Sequence, residues 1–141
     1  MSDVTERRGH CLCGAIHITA KQASNKVGAC HCSMCRRWCG GPLMEIDCGS
    51  DVIIDGEEHM TVFDSSEWAE RAFCSKCGTN LFYRLKGTQQ HMILVGLLIS
   101  SENLAFDLQV FTDEKPSFYS FAEKTEMMTA AEVMAKFGGG D

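Results

Sequence analysis

Nine cysteines stand in this 141-residue chain, and seven of them fall into three tight groups: Cys11 with Cys13, Cys30 with Cys32 and Cys35, and Cys74 with Cys77. Disulfide frameworks of small secreted domains use even counts at dispersed spacings, whereas thiols kept reduced are free to bind soft metals. Groups written Cys-x-Cys, Cys-x-Cys-x-x-Cys and Cys-x-x-Cys therefore point to zinc, with redox pairs or plain buried thiols as the alternatives.

The residues that follow each group divide the ligands. Cys11-Leu12-Cys13-Gly14 and Cys74-Ser75-Lys76-Cys77-Gly78 both end in Cys-Gly, and glycine enters without strain the positive-φ turn that lets backbone N–H groups bond a thiolate. Two such knuckles supply four thiolates, enough for a closed structural zinc that ties together positions some sixty residues apart. The middle group runs instead into Arg36-Arg37-Trp38. In an extended segment Cys30 and Cys32 share one face and His31 takes the other, with Cys35 swinging back to complete a three-thiolate cup. Catalytic zinc sites keep such an open fourth position. Three thiolates leave the metal electron-rich and thiophilic, so the expected substrate is a thiol. Arg36 and Arg37 are the candidates for lowering the pKa of that thiol and binding its carboxylates, as in a γ-glutamyl peptide. Completion of the site by Cys39, Cys48, His31 or His10 is the alternative, as is Cys39 and Cys48 acting as small buried hydrophobes.

The rest of the chain reads as the scaffold for these groups. With 45% apolar and 23% charged residues, thirteen Gly and only two Pro, it suits one soluble domain over 1–141. The apolar run 92–99 is far shorter than the roughly 20 residues of a membrane span. The N-terminus lacks the apolar stretch of a signal peptide, so a cytoplasmic location is expected, without membrane partners. A net charge of -6 disfavours nucleic acid. Strands are expected at 15–20, 43–48, 52–54 and 61–63, and on either side of the second knuckle at 71–73 and 80–85. The run 92–99 reads as a central strand buried on both faces. One helix is expected, at 129–137, opened by the capping box Thr129-Ala130-Ala131-Glu132, lined by Ala130, Val133, Met134 and Phe137, and stopped by Gly138 to Gly140. Loops for nucleotide phosphates are absent from the sequence.

Taken in order, Gly9-His10-Cys11-Leu12-Cys13-Gly14, Cys30-His31-Cys32-Ser33-Met34-Cys35-Arg36-Arg37 and Phe73-Cys74-Ser75-Lys76-Cys77-Gly78-Thr79 resemble the glutathione-dependent formaldehyde-activating enzyme family, which also includes centromere protein V. The resemblance covers about residues 9–121, with 106–121 similar to the family's closing segment. It implies a mainly β fold, a β-tent of small antiparallel sheets. It also implies two zinc ions per chain, a structural one on Cys11, Cys13, Cys74 and Cys77 and a catalytic one on Cys30, Cys32 and Cys35. The implied activity is that of a carbon–sulfur lyase that forms or cleaves S-hydroxymethylglutathione, the adduct of glutathione and formaldehyde. Cys39 departs from the small or hydroxyl residue expected beyond the arginine pair. A non-enzymatic zinc module that binds a protein partner and a thiol redox sensor are the alternative functions.

Overall fold

The structure, a computed structural model, describes residues 4–137, so the expected glycine stop at Gly138 to Gly140 lies outside the described residues. Along the chain run β1 (Val4–His10), β2 (His17–Ser24), β3 (Lys26–Cys30), α1 (Ser33–Cys39), β4 (Leu43–Asp47), β5 (Val52–Asp55) and β6 (Met60–Phe63). Then come β7 (Ala69–Cys74), β8 (Asn80–Leu85), β9 (His91–Leu94), β10 (Ala105–Val110), β11 (Glu126–Met128) and α2 (Ala130–Phe137). The fold is mainly β, in two sheets: a three-stranded one ordered β1-β2-β5 and an eight-stranded one ordered β11-β10-β3-β4-β9-β8-β7-β6. All pairings are antiparallel except those of β10, which runs parallel to both β3 and β11.

The core lies between the sheets and follows from side-chain alternation. Ile18 and Ala20 of β2 and the preceding Ile16 pack with Ile46 of β4, Ala72 of β7, Phe82 of β8 and Ile93 of β9, all buried. The other face of the large sheet carries Cys30, Leu43 and Tyr83, and α1 packs there. One face of the large sheet thus makes the core, and the opposite face makes the site.

Two expectations are corrected. The stretch 92–99 is not one central strand: β9 ends at Leu94, and Val95–Leu97 closes into a 3-10 turn. The apolar run crosses from one sheet to the other. Ile46 pairs with Ile93 in the large sheet, whereas Leu98 bridges Gly9 of β1, with the Ile99 N–H donating to the Arg8 carbonyl. The C-terminal helix, observed at Ala130–Phe137 with Glu132 and Thr129 in reciprocal capping bonds, is joined by a second helix that the sequence reading missed, α1.

One turn near the first knuckle depends on its glycine. Gly56 has φ +89°, and a Cβ there would stand 2.0 Å from the Ala15 carbonyl oxygen. Gly56→Ala combines left-handed strain with a backbone clash and is expected to cost about 3 kcal/mol or more. The urea midpoint should fall, and a change below about 1 kcal/mol would mean that this backbone contact is not held in solution.

Candidate metal centres

The first knuckle is a turn between β1 and β2, the second a turn between β7 and β8, and the two are built alike. Gly14 N–H donates to the Cys11 carbonyl at 3.1 Å and Gly78 N–H to the Cys74 carbonyl at 2.8 Å, with φ of +82° and +78° at the two glycines. Ile16 N–H donates to Cys11 Sγ at 3.3 Å. Thr79, given no role in the sequence reading, ties the knuckles together: its hydroxyl accepts Leu12 N–H at 3.0 Å and lies 3.1 Å from Cys77 Sγ. Hydrogen bonding by the Thr79 hydroxyl and backbone holds the Cys77 thiol down to about 5.

The structure brings Cys11, Cys13, Cys74 and Cys77 together with their sulfurs all within 4.8 Å of one another. Four thiolates at about 2.3 Å from a tetrahedral zinc lie about 3.8 Å apart. Cys11 and Cys13 are separated by 3.7 Å and Cys13 and Cys74 by 3.8 Å, so the donor set fits such an ion.

Cys30, Cys32 and Cys35 form a second set within the same 4.8 Å limit, and no fourth His, Cys, Asp or Glu donor among the described residues joins it. Cys30 comes from the end of β3, Cys32 is the N-cap of α1 and Cys35 lies in its first turn. Cys32 is extended (φ -64°, ψ 156°), and its sulfur accepts Cys35 N–H at 3.4 Å, so ligand geometry and helix start are one feature. Hydrogen bonds from Cys30 and Cys35 lower the Cys32 pKa.

Neither cysteine left open by the sequence completes this set. Cys48 is buried in the main core, and its sulfur faces the Ile46 carbonyl. Cys39 packs beside the cup without joining the ligand atoms. His31 turns away, as the alternation requires. It is fully buried, with Nδ1 2.9 Å from the Tyr119 hydroxyl and Nε2 2.9 Å from Gln109 Oε1. His10 Nδ1 lies against the Cys11 carbonyl.

The cation that touches the cup is Arg71, which the sequence reading passed over. It is 9% exposed on β7, with Nη1 and Nη2 at 3.8 and 3.7 Å from Cys35 Sγ. Its guanidinium also lies 5.0 Å from the Trp38 ring centre and 5.6 Å from that of Tyr83. Arg36, by contrast, donates from Nε to the His31 carbonyl at 2.8 Å, and Arg37 is exposed. Groups that contact metal ligands from behind are commonly worth 10–100-fold in metal affinity. Arg71→Gln is therefore expected to weaken the binding of added zinc at the cup by about that factor and to leave binding at the knuckles unchanged. Chelator competition measures this, and equal weakening of both sites, or of neither, would contradict the assigned contact.

A mainly β chain with one four-cysteine and one three-cysteine cluster, each able to hold a metal ion, is the class that fold and site define. The chain belongs to the glutathione-dependent formaldehyde-activating enzyme family, whose pattern matches residues 6–114. A Schizosaccharomyces pombe protein described as an uncharacterized lyase is 42% identical over 130 residues, covering 92% of this chain and 95% of that one. A Halomonas elongata protein whose name carries the formaldehyde-activating description is 29% identical over 83 residues, 52% of this chain and 53% of its own. The crystal structure of a Rhodobacter sphaeroides protein shares the fold, with a TM-score of 0.59 at 24% identity over 72% of this chain and 98% of that one.

Proposed function

We propose that this chain is a zinc-dependent carbon–sulfur lyase that makes or breaks the adduct of formaldehyde with glutathione or a similar thiol. The observation that carries the reading is the contrast between the clusters: four sulfurs gathered at one, three at the other with no fourth donor among the described residues. Cys30, Cys32 and Cys35 would hold the catalytic zinc, and Cys11, Cys13, Cys74 and Cys77 the structural one. When bound in the cup, zinc supplies a thiophilic position that keeps an incoming thiol ionised at neutral pH.

The remaining work falls to the chain itself. Arg71 offsets the negative charge gathered on the cup from the side of Cys35. Trp38, Leu43, Tyr83, Leu94 and Phe111 pack around the cysteines and keep water from their buried side. Arg36 and Arg37, on α1 directly after Cys35, are assigned to the carboxylates of the thiol substrate. Thiols in such a site need a reducing compartment, which accords with a cytoplasmic enzyme. No helix among the described residues is long and apolar enough to cross a membrane.

The test is the rate at which formaldehyde and glutathione exchange with S-hydroxymethylglutathione, followed by magnetisation-transfer NMR with zinc-loaded protein. Acceleration over the uncatalysed exchange supports the reading. Without it, formaldehyde is not the carbonyl partner, and binding of glutathione at the second metal then decides whether the thiol part of the reading stands.

A further inference from the structure

The sheet face that carries the cup also carries a buried carboxyl group. Glu45 lies two residues beyond Leu43 on β4, hence on the same face, and Leu43 pairs with Cys30 and packs against it. Glu45 itself pairs with Gly28. The carboxyl lies over that glycine, with Oε1 3.8 Å from where a Cβ would stand. Gly28 and Cys30 are next neighbours on one face of β3, about 7 Å apart along the strand.

Glu45 Oε2 is buried and has no hydrogen-bond partner. A carboxylate in that setting is costly, and an unsatisfied buried polar atom calls for an explanation. Around the carboxyl stand Asp47 on its own strand, Tyr83 on β8, Arg71 on β7, and Cys32 and Cys39 at the two ends of α1. The Tyr83 side chain stands beside the carboxyl while packing on the cysteine cluster. Arg71, the cation of this group, already touches Cys35 with both terminal nitrogens. Burial first, and the charge of Asp47 second, push Glu45 up to about 8, the direction that an acid–base group needs.

We propose that Glu45 is the acid–base group of the three-cysteine site, with Tyr83 as the positioning residue that aims its carboxyl. The inference rests on the lyase reading above. In the forward direction the thiolate lone pair forms the carbon–sulfur bond, the carbonyl π pair moves to oxygen, and that oxygen takes the proton of Glu45. The proton shed by the next thiol as it ionises restores the carboxylic acid, so no net proton is consumed. In reverse, the carboxylate removes the hydroxyl proton of the adduct, the carbonyl re-forms, and the thiolate leaves.

General acid–base groups contribute about 10²–10⁴-fold. Glu45→Gln keeps the shape and removes the transferable proton, so it is expected to lower kcat for the exchange by about 100-fold or more, with glutathione affinity and zinc content within about twofold of the parent. Tyr83→Phe should lower it by about tenfold. A kcat for Glu45→Gln within about threefold of the parent overturns the proposal while leaving the lyase reading intact. Infrared spectroscopy gives a readout apart from turnover: a protonated-carboxyl stretch at pH 7 that is lost in Glu45→Gln and shifts when glutathione and formaldehyde are both added. Absence of the band, or a band that ignores both compounds, overturns the proposal. If the parent itself fails to accelerate exchange, the reaction assigned above falls, and the shift of this band alone decides whether Glu45 faces the bound thiol and carbonyl.

Discussion

Cys77→Ser is expected to leave the chain unfolded. Cys77 and Cys74 stand on the turn between β7 and β8, and Cys11 and Cys13 on the turn between β1 and β2, so a metal held by all four is the cross-link between the two sheets. The apparent binding free energy of structural zinc, about 10–16 kcal/mol, is of the same size as the whole stability of an ordinary domain, about 5–15 kcal/mol. Loss of one ligand forfeits most of it, since a neutral serine hydroxyl is a poor replacement for a thiolate. Thr79 would then tie Leu12 to a vacant position. Circular dichroism and a urea titration read the result: no cooperative transition is expected. A variant that unfolds cooperatively within about 1 kcal/mol of the parent would contradict the structural role.

Cys32→Ser should do the opposite: abolish turnover and spare the fold. Cys32 caps α1 through its sulfur, and serine is among the preferred N-caps, so its hydroxyl can take over the bond from Cys35 N–H. The cup, however, drops to two thiolates. Zinc is expected to fall from two to one per chain and the exchange rate by at least about 1,000-fold, with the unfolding midpoint little changed. Elemental analysis and NMR exchange read the two effects on the same sample. Global unfolding of Cys32→Ser to the same degree as Cys77→Ser would mean that both clusters are scaffold, and the division into structural and catalytic sites would fail.

The clusters were legible in the sequence because metal ligation is a local affair of spacing and turn chemistry. The glycines after Cys13 and Cys77 distinguish the knuckles from the middle group, and both adopt the positive φ that this reading required. Strands such as β8, found at Asn80–Leu85 as expected, were visible because their ends are marked by the knuckle and by polar turns. Helix α1 was not, because its seven residues, Ser-Met-Cys-Arg-Arg-Trp-Cys, carry too few turns for an apolar period to emerge. Its start is set by the sulfur of Cys32 acting as a cap, a role that composition does not announce. The run 92–99 misled for the converse reason: uninterrupted apolar character states burial but not direction, and here the chain leaves one sheet to bridge the other.

Arg71 and Glu45 were invisible for a third reason. Neither belongs to a motif, and each is placed on the face of the cup only through strand register: Arg71 opposite Tyr83, and Glu45 opposite Gly28 beside the Cys30–Leu43 pair. Arg36 and Arg37 drew attention because they adjoin Cys35 in sequence. Across the sheet, the residues that touch the cysteines come from distant parts of the chain: Arg71 lies 36 residues from the Cys35 it contacts, and Tyr83, Leu94 and Phe111 lie farther still.

The central claim is that one cysteine site is filled by the chain and the other leaves a position for a thiol. X-ray absorption at the zinc edge, on protein carrying two zinc ions per chain, tests it most directly. The expected result is an average of between three and four sulfurs per zinc in the free protein, rising to four when glutathione is added. Four sulfurs per zinc before any thiol is added, or an unchanged average afterwards, would contradict it.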